Sequence, residues 1–376
     1  MAIPLLVLLG LFTLIQLFFY LFIFTRLTSY QGPKLFEAEY PAVSVLVCAW
    51  NERENLEALL PLLDAQQYHA FEVLVLDDRS EDGTKEYLEQ TATQWKHVRF
   101  IRIEQQHEHI TSKKYALSVG MKHAKYPVAL MTDADCRPVG ERWIATMAAR
   151  LGDKRDVVLG FSPYFREKGL LNWFIRCETF YTAVQYLSFA RVGWAYMGVG
   201  RNLLYRTSLF FAHRGFYRHK HIVGGDDDLF MNQVATSTNV AIALDPDSFV
   251  YSYPKKTWQS WFVQKKRHLS VGKHYRTRNK WLLGLLSGSH SGFWTVGLLV
   301  LGYAVWQQEV LLMQAVAVVF GVRWLVQWVV LAFLNRRLDR TVEWYTFPAM
   351  DLALYLYYLR MSTLVLFRRK SKITWR

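Results

Sequence analysis

Cysteine is scarce in this chain. Cys48, Cys136 and Cys177 are the only three in 376 residues, and no two are close in sequence. That spacing supports neither a disulfide framework nor a zinc site, and it agrees with a reducing compartment. No glycine-rich G-x-G-x-x-G and no P-loop occurs, which argues against a dinucleotide enzyme and against a P-loop nucleotidase. The formal charge is +14, yet no basic repeat resembles a nucleic-acid module. The cationic excess is therefore assigned to lipid headgroups and a phosphorylated small molecule, and nucleic acid is not expected as a partner. Charge itself is missing from residues 3–24. That run is long enough for a hydrocarbon core of about 30 Å. No basic stretch precedes it and no A-x-A site follows, so a retained anchor is expected rather than a cleaved signal peptide.

What is present is an apolar chain, 52% hydrophobic and 16% aromatic, rich for a soluble protein. The excess sits at the two ends. Residues 1–27 read as a transmembrane anchor. Residues 281–376 read as a second membrane region, with spans at 281–306 and 310–334 and a further apolar stretch at 344–367. Arg26 and Lys34 follow the anchor, and two crossings would return the loop 335–340 (NRRLDR) to the same side, so both are expected in the cytoplasm. One more crossing would export the basic tail 368–376 (RRKSKITWR). The stretch 344–367 also carries Asp351 and Arg360, which are costly in hydrocarbon. This terminal segment is therefore expected at the interface, or re-entrant on the cytoplasmic side.

Residues 37–280 have the pattern of a water-soluble α/β domain, closing with an interfacial basic segment at 255–280. Strand-like runs at 43–48, 72–76, 98–102, 128–131 and 157–161 alternate with helix-like stretches such as 55–66 and 83–93. The first of these helices carries Leu56, Leu59, Leu60 and Leu63 on one face. Such alternation predicts a mostly parallel sheet with helices on both faces, whose ligands bind beyond the carboxyl ends of the strands. Three strands end in polar clusters there: Trp50-Asn51-Glu52, Asp77-Asp78-Arg79-Ser80 and Asp133-Ala134-Asp135. The last is a D-x-D motif. Its carboxylates are spaced so that both address one object, and Mg²⁺ or Mn²⁺ commonly couples a few carboxylates to substrate phosphates. Solvated loop acids are the plainer reading of such a motif on its own.

The ordered motifs VSVLVCAWNE, VLVLDDRSEDGT, SKKYALSVGMKHA, MTDADCRP, GGDDDLF and QKKRH, over about residues 40–275, resemble the membrane-bound family 2 glycosyltransferases. The resemblance implies a GT-A (Rossmann-like, mostly parallel) α/β catalytic domain flanked by transmembrane or interfacial helices. It implies inverting transfer of a sugar from a nucleotide-diphosphate sugar, expected to be a UDP-sugar, with a divalent cation, Mn²⁺ or Mg²⁺. Asp135 is the first choice as metal ligand, with Asp133 beside it or facing the donor sugar. Lys113 stands at the family's lysine position and is expected on the diphosphate, while Lys114 reads as an exposed helix lysine. Asp78 is expected on the base, with Trp50 against the ring and Glu52 beside it. Asp77 reads equally as a turn cap. The base that takes the acceptor's proton is expected to be Asp226, with Asp227 in reserve and Asp228 supporting the following helix. Gln264 and Arg267 are expected to close over the diphosphate, although His268 replaces the family's tryptophan. The same segment also reads as an interfacial helix with Trp258, Trp261 and Phe262 embedded.

Less weight falls on 197–202 (MGVGRN), an acceptor-side loop with Arg201 and Asn202, and on His213, His219 and His221, read as a solvated hinge. The aromatic stretch 173–189 fits either a core or a membrane surface. The leading expectation is an integral membrane enzyme, its catalytic domain cytoplasmic at a bacterial inner membrane, acting on a lipid or lipid-linked acceptor. The alternatives are a processive polysaccharide synthase and a catalytically silent nucleotide-sugar-binding scaffold.

Overall fold

The computed structural model describes residues 2–32, 40–91, 93–152 and 154–366. The tail 368–376 and Lys34, both used above to assign sidedness, lie outside the described residues. The chain forms two compact units. Among the described residues, one holds 2–30, 176–188 and 276–366, and the other holds those between 31 and 175 and 189–275.

The second unit contains the sheet. Its strands are β1 (Val43–Ala49), β2 (Phe71–Asp77), β3 (Val98–Arg102), β4 (Val128–Asp133), β6 (Val157–Leu159), β7 (Leu203–Arg206) and β8 (Val240–Ile242), in the order β3-β2-β1-β4-β7-β6-β8. The pairs among β3, β2, β1 and β4 are parallel, as is β6 with β8, whereas β7 runs antiparallel to both of its neighbours. Near-continuous Val and Leu runs build the central strands because both faces are covered. Helix Arg53–Asp64 turns its predicted face, Leu56, Leu59, Leu60 and Leu63, into that core. A two-stranded antiparallel ribbon, β5 (Cys136–Pro138) with β9 (Val250–Ser252), pairs Cys136 with Ser252 and Pro138 with Val250. The D-x-D is thereby held between β4 in the sheet and β5 in the ribbon.

The first unit is helical: Ala2–Phe18 running on through a π-helical turn, Phe19–Phe24, to Thr28, then Thr277–Gln307, Val310–Arg337 and Phe347–Leu366. By length and composition, Ile3–Thr28 and Val310–Arg337 suffice to cross a membrane. At the centre of this unit lies a buried ionic network. One Asp351 oxygen accepts from His290 Nε2 (2.9 Å), Arg323 Nη2 (3.0 Å) and Gln327 Nε2 (2.8 Å). The other accepts from Trp294 Nε1 (3.0 Å), Arg323 Nη1 (2.7 Å) and Trp324 Nε1 (3.3 Å). Arg323 also reaches Gln16 Oε1 (3.3 Å), so helices distant in sequence share one set of charges. Asp351 was counted above as a cost in hydrocarbon. Here it is neutralised inside the bundle and makes no case against a crossing. Helix Leu170–Arg191, undecided from sequence, is a core element: Phe180 stacks on Phe347 (6.0 Å) and Arg176 pairs with Glu343 (3.0 Å).

Candidate active site

The three polar strand ends meet beyond the carboxyl edge of the sheet, and two of them are braced against each other. Asn51 and Arg79 both adopt left-handed backbone, with φ of 55° and 60°. The Asn51 amide donates to Ser80 Oγ (2.8 Å), and the Glu81 amide donates to Asn51 Oδ1 (2.8 Å). Asp77 is structural: it is fully buried, accepts from the Ser80 amide (3.1 Å) and pairs with Arg102 (2.5 Å). Asp78 pairs with Arg79 (2.7 Å) at the cavity wall. Glu52 accepts from Asn55 Nδ2 (2.6 Å), and burial pushes its carboxyl up.

A cavity of about 650 Å³ opens here, lined by Trp50, Glu52, Asp78, Lys113, Asp133, Asp135, Gln264 and Arg267. All were nominated from sequence, from segments more than 200 residues apart. The volume suits a substrate of drug or cofactor size. Lys255, Thr257 and Ser260 also line it and were missed. Nothing local separates Lys255 from Lys256 beside it. Arg137 braces the D-x-D turn from behind, donating to Ala134 O (3.0 Å) and Asn55 Oδ1 (3.1 Å).

Asp226 lies in a small recess that shares Cys48, Lys113 and Asp133 with the cavity. Lys113 Nζ stands between acids, 2.8 Å from Asp133 Oδ1 and 3.3 Å from Asp226 Oδ2. Burial would raise the Asp226 carboxyl, but the Lys113 ammonium, a backbone hydrogen bond and Lys114 together hold the group below the usual carboxylate range. Asp227 is engaged differently. Its two oxygens accept from the backbone amides of Gly200 and Asp228, both at 2.7 Å, so it caps helix Asp228–Val234. The helix support expected of Asp228 thus comes from Asp227. Burial and the adjacent Asp226 push the Asp227 carboxyl up to about 6. Gly224 and Gly225, with φ of 79° and 75°, make the bend that delivers these acids, and a side chain would resist both positions.

The sequence model of glycosyl transferase family 2 matches residues 44–212, which span β1 to β7 and the D-x-D. The match covers a little under half of the chain. Among the proteins similar to this chain, Glycosyltransferase AglE of Haloferax volcanii is 29% identical over 28% of the chain, and a dolichol-phosphate mannosyltransferase of Pyrococcus furiosus is 31% identical over 35%. The matched regions span 33% and 36% of those proteins, about a third of their length. A mannosyltransferase from Pyrobaculum calidifontis, solved in complex with GDP-Man and Mn²⁺, superposes with a TM-score of 0.59 over 91% of this chain and 99% of its own, at 16% identity. The two share the GT-A fold.

Three sequence-based expectations are corrected by the geometry. Lys114 is not an exposed helix lysine. It is wholly buried and donates to the carbonyls of His219 and Ile222, each at 2.7 Å, and burial pulls its ammonium down to about 8. His219 is not part of a solvated hinge. It is 6% exposed, neither ring nitrogen has a hydrogen-bond partner among the described residues, and burial with Lys114 nearby lowers it to about 4. Trp261 is not free for a lipid surface, because it is buried edge-on against Phe174 (5.4 Å), while Trp258 and Val263 stay exposed on the same helix. Of the 197–202 loop, Asn202 is a packing residue that donates to Phe161 O and Ser248 O (2.9 and 2.7 Å), and the Arg201 guanidinium lies 4.3 Å over the Tyr164 ring.

The donor set suits a divalent cation held jointly with substrate. Asp135 lines the cavity, is half-buried, and makes no ion pair with protein among the described residues. Burial and then Asp133 push its carboxyl up, a cost that a bound cation would relieve. No group of three or more acidic, histidine or cysteine side chains gathers for a metal among the described residues. One or two carboxylates completed by phosphate oxygens is how Mg²⁺ and Mn²⁺ are often held.

Proposed function

We propose that this protein is a membrane-anchored, metal-dependent, inverting glycosyltransferase that moves a sugar from a nucleotide-diphosphate sugar to a hydroxyl or phosphate oxygen of a lipid-like acceptor on the cytoplasmic side. The observation that carries the reading is the single cavity on which the nucleotide, metal and diphosphate candidates converge. Trp50 and Asp78 hold the base at the braced loops, with Glu52 beside them. Asp135, with Asp133 next to it, would hold the cation, which supplies positive charge to the diphosphate when bound. Gln264 and Arg267 close the opposite wall. Asp226, kept ionised by Lys113, receives the acceptor's proton as the acceptor oxygen bonds to the anomeric carbon and the bond from that carbon to the β-phosphate oxygen breaks. The geometry favours Asp226 over Asp227, since both Asp227 oxygens are already committed to backbone amides.

Two apolar helices of crossing length support the membrane anchor. The relative named dolichol-phosphate mannosyltransferase supports a lipid acceptor. Purified protein in detergent, incubated with UDP- and GDP-sugars, Mn²⁺ and a lipid extract, is expected to yield a glycosylated lipid of defined added mass. Free sugar as the sole product, or polymer of many added units, would count against this reading.

A further inference from the structure

The register of the β5–β9 ribbon has a chemical consequence. Its strands are antiparallel with Cys136 opposite Ser252, so residues just before 136 and just after 252 leave at the same end of the ribbon. The first group is the D-x-D turn, and the second is Tyr253-Pro254-Lys255. Both Asp135 and Lys255 line the cavity. The adjacent Lys256 points elsewhere, to Glu167. Lys255 forms no hydrogen bond or ion pair with protein among the described residues, and its charge acts on Asp135 and Glu52 across the cavity.

Lys113 stands in the opposite situation. Its side chain is 15% exposed and its ammonium is held by Asp133 and Asp226. Moving it onto a diphosphate would break its pairing with both acids and leave Asp133 and Asp226 without the ammonium that stands between them. Resting on the function proposed above, we infer that Lys255, and not Lys113, is the protein lysine that meets the donor's diphosphate and offsets the charge released on it. As the acceptor oxygen bonds to the anomeric carbon, the electron pair of the breaking bond goes to the β-phosphate oxygen and the acceptor's proton goes to Asp226. Lys255 keeps its own proton and supplies charge where the negative charge appears, the location at which electrostatic stabilisation acts on rate. Lys113 serves the acids instead.

The test titrates the full chain in detergent with nucleoside diphosphates (UDP, GDP, ADP, CDP) and with the matching nucleosides, in Mn²⁺ and in EDTA. Lys255→Met is expected to weaken binding of the preferred diphosphate by about ten- to a hundred-fold, the worth of a charge-assisted contact, and to leave the nucleoside unchanged. The loss persists in EDTA, because the ammonium rather than the metal is removed. Lys255→Arg restores most of the affinity, and Lys256→Met behaves as wild type. Wild-type affinity in Lys255→Met, or an equal loss in Lys256→Met, overturns the assignment of Lys255 while leaving the proposed function standing. A wild-type protein that binds none of the diphosphates refutes both.

Discussion

Removing Asp351 or Arg323 separates the value of a hydrogen bond from the cost of a stranded charge. Each member of the network makes several polar contacts, but such contacts between helices in a membrane average only about 0.6 kcal/mol. On that scale Gln327→Leu, which deletes one neutral donor to Asp351 and one acceptor for Arg323, costs about 1 kcal/mol. Stranding a buried charge costs about 3–5 kcal/mol. Arg323→Leu leaves the carboxylate with His290, Gln327 and two indoles, so it falls at the lower end. Asp351→Leu leaves the guanidinium, among the described residues, with Gln327 Oε1 (3.1 Å), Gln16 Oε1 (3.3 Å) and the Phe293 ring (4.3 Å), so it falls at the upper end. The double variant carries neither charge and is expected to be more stable than either single one. The assay is SDS-driven unfolding of the full chain in micelles, followed by tryptophan fluorescence. A double variant as unstable as the sum of the singles, or singles within 1 kcal/mol of wild type, would refute the stranded-charge account.

Asp135→Ala should abolish transfer and remove the part of nucleoside-diphosphate binding that depends on Mn²⁺, and excess chelator should silence the wild type; full turnover in chelator would end the metal assignment. Asp226→Asn should lower turnover by about 10²–10⁴, the usual worth of a general base, with donor affinity near wild type. Asp227→Asn should show mainly in thermal unfolding, by about 1–2 kcal/mol, because an amide can accept from only one of the two backbone donors; an inactive Asp227→Asn beside an active Asp226→Asn would reverse the two roles. Lys114→Met frees the carbonyls of His219 and Ile222, and so loosens the loop that ends in Asp226. It should lower kcat about tenfold or more with donor KM little changed, as expected for misplacement of a reacting group, and a parallel rise in KM would point to general unfolding instead.

The central sheet could be read from sequence because β1, β2 and β4 are covered on both faces and must be continuous Val and Leu runs. Strands β5, β7, β8 and β9 escaped notice, since three or four residues carry no measurable alternation. The cavity was equally legible: strand-end acids and the QKKRH segment are chemically conspicuous, and the parallel topology brings strand ends to one edge. Lys114 and His219 were misread because their environment is set by chain more than 100 residues away, and Lys113-Lys114 offers no local clue to which lysine is swallowed by the fold. Asp351 was misjudged for a related reason. Its partner Arg323 lies on another helix, and a single-segment hydropathy argument treats each charge as alone.

The bracing of the Trp50 and Asp78 loops bears on the timing of nucleotide capture. Left-handed Asn51 is tied to Ser80 and Glu81 of the other loop by hydrogen bonds, so the wall proposed to hold the base is finished before any ligand arrives. Little loop entropy remains to be lost on encounter. Association should then run at the rate set by diffusion and charge, with no slow isomerisation. Differences among nucleotides should appear in residence time, and the Asn51 and Glu81 amides should resist hydrogen exchange equally well in the empty and the filled protein.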